Sequence, residues 1–304
     1  MTWTAKGVQW SLSNPESGLF LLPGVRGLGS VRTDRHVTSS PGAAGSRFEG
    51  VSVLDREVFW PVHIYHDTGS MDWMLRDRAF WAGMDPADTG VWTVTHPDGS
   101  HRSLTLRFTS DGDHTSNGDP VFRGWETYGI TLVAERPYWE GAPVVKAFAG
   151  TAPPDPFFPD PGTGEVVNIA PGYSVSNAAM DNPGDVESYP RWFIEGPATE
   201  ATVGVGGVVV DVPFAVLTGQ TLVIESDPDM IGATLYDVTV AGMDLKPSER
   251  VIGEHLINPV DKTKQLGEAD FAPIPAGSQV PLSLTLVGLG KVEALLPTLY
   301  RRPW

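Results

Sequence analysis

Val91-Trp92-Thr93-Val94-Thr95-His96-Pro97-Asp98-Gly99-Ser100-His101-Arg102-Ser103-Leu104-Thr105-Leu106-Arg107-Phe108 carries the clearest fold signal in the chain. Leu104, Leu106 and Phe108 alternate with Thr105 and Arg107, a period of two that puts one face on a core. The two apolar runs are separated by Pro-Asp-Gly, in which Asp-Gly supplies the positive φ angles of a tight hairpin turn. Outward from this stretch the same grammar recurs. Leu282, Leu284 and Leu286 alternate with Ser283, Thr285 and Val287, while Val208–Val210 and Leu222–Ile224 are continuous apolar runs suited to a sandwich core. Gly204-Val205-Gly206-Gly207 forms a second hairpin signal, between Ala201–Val203 and Val208–Val212. With 34 Gly and 27 Pro, turn punctuation is frequent enough for a mostly β chain.

One helix interrupts this pattern. Ser70 is placed to cap it, Asp72 sits in its first turn, and Gly83 followed by Pro86 ends it. Met71, Met74, Leu75 and Ala79 predict its buried stripe, with Trp73, Phe80 and Trp81 read as core packing. A weaker helical pattern covers Glu249–Ile257. The segment around Ala152–Gly162 has five prolines and no periodicity, which excludes a central strand and marks a domain boundary. The expected organisation is an N-terminal domain over 1–149, a Pro-rich linker over 150–168 and a C-terminal domain over 169–304. Asp244–Gly267 is longer than a sandwich loop needs.

Composition narrows the function. The chain has 304 residues and no cysteine, so disulfides, thiolate metal sites and a cysteine nucleophile are excluded. Its net charge is −16, unevenly spread: residues 1–150 hold 13 Lys and Arg against 17 Asp and Glu, and residues 151–304 hold 8 against 20. Such a surface repels phosphate backbones and argues against nucleic-acid binding. No apolar run reaches the roughly 18 residues of a membrane span, and Met1–Lys6 lacks the apolar core of a secretory signal. The expectation is a product made and retained in the cytoplasm of the expressing cell, without membrane insertion.

Motifs for catalysis were sought and none is complete. His63 and His66, three residues apart on a strand, face opposite sides, and no zinc-binding histidine pattern occurs. Gly27-Leu28-Gly29-Ser30 and Gly162-Thr163-Gly164 are fragments of phosphate loops that lack the remaining glycine and lysine, and read as turns. Asp111–Asp119 alternates oxygen side chains but has Ser116 where a calcium loop needs Gly and Phe122 where it needs Glu, leaving an acidic hairpin loop. No catalytic, cofactor-binding or metal site is assigned, and the chain is not read as an enzyme. Carboxylate pairs for glycoside hydrolysis meet only in space, so sequence alone does not test that class.

The order of signals is more specific than any one of them. The capped helix, the Pro-Asp-Gly hairpin and then Gly124-Trp125-Glu126 through Arg136-Pro137-Tyr138-Trp139 resemble the N-terminal belt domain of siphophage distal tail (Dit-like) proteins. Asn182-Pro183-Gly184-Asp185, Tyr189-Pro190-Arg191-Trp192-Phe193-Ile194-Glu195-Gly196-Pro197-Ala198, Pro273-Ile274-Pro275-Ala276-Gly277 and the terminal Leu299–Trp304 resemble the second half of the same family. The resemblance implies a belt-type β domain with one α-helix followed by a galectin-like β-sandwich. It also implies a minor tail protein at the distal end of a phage tail, assembled in the host cytoplasm and closing into a homohexameric ring. The partners it implies are the tail tube protein, a tail-tip or tail-associated protein and, further, the tape-measure protein. DNA would pass through without specific binding. The alternative kept beside it is a carbohydrate-binding or adhesin module, in which Trp192 or Trp304 would stack on sugars.

Overall fold

The computed structural model describes residues 1–42, 44–67, 70–112, 114–116, 118–149, 173–174 and 178–304. The expected linker over 150–168 lies outside the described residues. The chain divides into two compact units, Met1–Ala142 with Tyr300–Trp304, and Pro143–Leu299. The division thus falls at Ala142 rather than at 149, and the last five residues belong with the first unit.

The first unit is a curled sheet with a helix against it. Its strands are β1 (Thr2–Ala5), β2 (Val8–Ser11), β3 (Leu19–Leu21), β4 (Thr33–Thr38), β5 (Arg47–Val53) and β6 (Arg56–Tyr65). Helix α1 (Ser70–Trp81) follows, then β7 (Thr89–Thr95), β8 (His101–Ser110), the one-turn α2 (Pro120–Arg123), β9 (Trp125–Ala134) and β10 (Trp139–Glu140). The order β2-β1-β7-β8-β9-β6-β3 runs through antiparallel pairs. The amide of Leu21 donates to the carbonyl of Leu12 at 3.0 Å, just beyond β2, which draws the two ends of the sheet together. The expected Asp-Gly hairpin joins β7 to β8, with Gly99 at φ +87°.

Period two places large rings inside the curl. Val58, Trp60, Val62 and Ile64 of β6 are buried, as are Trp92, Leu104, Leu106, Ile130 and Leu132 on its neighbours. Trp3, Trp60, Trp92 and Trp139 form a chain with ring centroids 5.2, 5.3 and 4.9 Å apart, the first two contacts edge-to-face. Their indole N–H groups meet no oxygen acceptor, so what fixes them is ring packing rather than hydrogen bonding.

Helix α1 forms as expected but turns a different face inward. Trp73 is 3% exposed and Phe80 fully buried, whereas Leu75 is 56% exposed and Met71 is exposed too. The indole of Trp73 donates to the carbonyl of Ile64 at 3.1 Å, and Trp81 packs on Phe108 and Tyr128. The inward stripe is Trp73, Asp77, Phe80 and Trp81. Asp77 breaks its hydropathy, and its partner is the Tyr128 hydroxyl, which donates to it at 2.8 Å.

The second unit is a β-sandwich. It contains β11 (Val144–Ala149), β12 (Tyr173–Ser174), β13 (Ala179–Asp181), β14 (Arg191–Glu195), β15 (Ala198–Val205), β16 (Val208–Val212), β17 (Gln220–Glu225) and β18 (Gly232–Val238). The one-turn α3 (Val240–Met243), β19 (Leu256–Asp261), β20 (Gln279–Gly288) and β21 (Lys291–Leu296) complete this unit, and the closing β22 (Leu299–Tyr300) pairs with β10. One sheet runs β11-β21-β14-β17-β18-β19 and the other β12-β20-β15-β16, with β13 also on β20. Trp192, Ile194, Leu222, Ile224, Val292 and Leu296 face Val203, Val210, Leu282, Leu284 and Leu286 across a common core.

The long segment after β18 covers the outer face of the six-stranded sheet. Phe193, Val223, Tyr236, Val238 and Leu256 form a second apolar cluster there. Arg250 reaches in to bond the carbonyl of Gly242, the hydroxyl of Thr221 and the carboxylate of Glu195 at 2.7–2.8 Å, and buried Glu293 accepts from the amide of Ser248. The helix expected over Glu249–Ile257 does not form. Pro247–Glu249 is a 3-10 turn and Leu256 begins β19, because Arg250 is spent beneath the segment and not on a helix surface.

Candidate assembly surfaces

The hairpin β4–β5 contributes no buried residue to a core. Every residue of β4 and all but Gly50 of β5 are exposed, including Val37, Phe48, Val51 and Val53. A two-stranded hairpin with both faces exposed among the described residues is marginally stable alone. The sequence carried no warning of it, because with both faces exposed there is no period-two contrast to read.

A second apolar surface joins α1 to α2. Asp119 caps α2, its carboxylate accepting from the amide of Val121 at 3.0 Å, and Gly124 ends it in the left-handed region. This single turn leaves Phe122 86% exposed, and Val121, Met71 and Leu75 are exposed as well. Trp125, half out of the surface, lies under the guanidinium of Arg123 at 4.2 Å and beside His63 at 5.5 Å. His63 in turn packs with Phe20 and Tyr65 and bonds the hydroxyl of Thr127 at 2.8 Å. The role of His63 is therefore in an aromatic cluster.

Behind that surface sits a polar latch. Glu126 occupies an inward position of β9, accepting from Arg123 at 3.1 Å, from the Ser116 hydroxyl, and from the amide of Thr127 at 2.9 Å. His114 lies 3.8 Å away, its ring over Tyr128. Burial pushes the Glu126 carboxyl up, yet the Ser116 hydroxyl, the Thr127 amide, His114 and Arg123 outweigh it and hold it below the ordinary range. Burial raises Asp77 instead. Glu126 thus ties down Ser116. Among the described residues no cluster of three metal-ligating side chains exists.

Arg56 anchors the opposite end of β6. It is buried without a carboxylate and donates to the carbonyls of Pro137, Gly27, Gly29 and Arg301 at 2.6–2.8 Å. Gly27–Ser30 is therefore a turn held from below. The terminal residues join the same unit: Arg102 stacks on Tyr300 at 3.5 Å and donates to the carbonyl of Arg302 at 2.7 Å, and His96 bonds the carbonyl of Pro303.

The residues named for sugar stacking separate. Trp192 is 1% exposed in the sandwich core and so offers no face to a ligand; its inward position on β14 is not distinguishable from sequence. Trp304 is 64% exposed.

No family model and no curated protein sequence matches the chain. Solved structures do. The Dit protein (gp 19.1) of SPP1, described as a hub of the adsorption apparatus in phages infecting Gram-positive bacteria, matches with a TM-score of 0.59 and 12% identity over 97% of each chain. The fold is a Dit fold. A chain of the phage P2 baseplate in its activated conformation with Ca matches with a TM-score of 0.55 and 10% identity, over 98% of this chain and 97% of that one. The Sr form of that baseplate gives 0.54 and 11% over 97% of each.

Within this Dit fold three of the short motifs of the second half, around Asn182, Ile274 and Leu299, meet at one corner. Asn182 is buried, donates to the carbonyls of Val186 and Ile274 at 2.9 Å and accepts from the amide of Gly184. Gly184 passes so close to the backbone of Leu299 that a Cβ would lie 2.7 Å from its carbonyl oxygen. The amide of Asp185 donates to that same oxygen, and the amide of Gly277 to the carbonyl of Asn182. Asn182, Gly184, Asp185 and Gly277 thus act as structural joints.

Proposed function

We propose that the chain is a structural subunit of a phage tail tip, a distal tail hub that closes into a homohexameric ring and joins the tail tube to the tip or baseplate. The observation that carries this reading is likeness to Dit and baseplate chains along 97% or more of both partners, spanning both units. The exposed β4–β5 hairpin and the α1–α2 surface are apolar patches among the described residues of the first unit suited to a head-to-tail contact. Such contacts close into rings when the rotation between copies closes.

On this reading the chain resides at the distal end of the tail after assembly in the host cytoplasm. Its neighbours are the tube protein, a tail-associated tip protein and the tape-measure protein. Its charge of −16 keeps passing DNA from adhering. Native mass spectrometry of the purified chain tests the contact. One closed oligomer is expected, and Phe48→Asp with Val51→Asp should yield monomers with an unchanged melting temperature. An oligomer indifferent to both substitutions would remove the hairpin from the interface.

A further inference from the structure

We propose that the surface around α3 in the second unit is a docking site for a protein segment whose aliphatic or aromatic side chains are flanked by lysine or arginine. The helix is one turn long, and the position it turns inward is Gly242. That residue is buried so closely that a Cβ would lie 3.1 Å from Val238 and from His255. With a glycine facing the sheet, the large apolar residues on either side stay exposed: Val240 is 83% and Met243 55% exposed. The Met243 methyl group lies against Gly219, beside exposed Leu217. The amide of Thr239 bonds the carbonyl of His255, which brings the turn bearing exposed Val251 and Ile252 alongside. The surface is thus aliphatic and methionine-bearing, adaptable to an apolar segment and without an aromatic face for a sugar.

Charge selects the partner. Asp244, Glu249 and Glu254 stand exposed around these residues, and Asp237 is linked through the Gln220 side chain to the amide of Leu217. Against them stand Lys246, paired with Glu249 at 3.2 Å, and His255, 3.6 Å from Glu254, while Arg250 is buried on Glu195. Residues 143–299 as a whole hold 7 Lys and Arg against 20 Asp and Glu, or −13. A second copy of this unit or an anionic lipid surface would be repelled, whereas a basic apolar segment is attracted and steered. The inference does not depend on ring formation.

Selection of a displayed library of random short peptides on the full-length chain tests it. Enriched peptides should carry Lys or Arg beside apolar residues. Their binding should fall about tenfold or more with Val240→Glu or Met243→Glu, and weaken with salt. Both positions are exposed, so melting temperature and any ring should be unchanged, which separates this result from a failure of the hub proposal. Asp244→Lys with Glu254→Lys should shift the selection toward acidic peptides. Enrichment without basic bias, equal binding by the variants, or no enrichment would overturn the proposal. Binding to phosphatidylglycerol vesicles that is lost with Val240→Glu would overturn it in favour of a membrane.

Discussion

Glu126 sits where the alternation of β9 calls for an apolar side chain, and it is tolerated because a hydroxyl, an amide and a guanidinium reach it. A carboxyl held below its ordinary value of 4.5 contributes stability that is present above that value and lost as pH falls through the folded value. His63, lowered by burial from 6.5, also loses stability on acidification, but in a window just below 6.5. Glu126→Gln should therefore lower stability at pH 7 by about 1–3 kcal/mol, with the gap closing between pH 5 and the acid limit. Urea denaturation across that range checks this, and a gap independent of pH would show that the charge of Glu126 has no role. None of this was legible beforehand. Glu126, Arg56 and Asn182 look like surface residues in sequence, and only their distant partners reveal them as buried joints.

At the scale of elements, alternation served well for strands that bury one face, and turn chemistry located both expected hairpins. It served poorly for α1, where nearly every face carries an apolar residue and the inward stripe includes Asp77. The consequence is measurable. Trp73→Ala should cost about 3–5 kcal/mol by emptying a core position, while Leu75→Asp should change stability by less than about 0.5 kcal/mol. If Leu75→Asp proved as damaging as Trp73→Ala in thermal melts of the monomeric chain, the orientation of the helix described above would be wrong. The same substitution should weaken assembly if the α1–α2 surface is an interface.

For the whole molecule, the expected proline-rich linker lies outside the described residues, and sequence could not show that the chain returns to its first unit. Nothing local tells which core Tyr300 and Pro303 will join; contacts with Arg102 and His96, some 200 residues earlier, decide it. The second compact unit is then Pro143–Leu299. A 143–299 fragment should melt cooperatively with β-type circular dichroism. A 165–304 fragment should be less stable, since it lacks β11, whose Val144 and Phe148 pack on the core. Equal stability of the two would make β11 dispensable to the sandwich.

The ring hub is the central claim, and its most direct test is electron cryo-microscopy of the phage tail that carries this chain. The account predicts a closed ring of six copies at the distal end of the tail tube, with β4–β5 of each copy covered by its neighbour. Copies arranged without cyclic symmetry, or a tail tip lacking the chain, would contradict it.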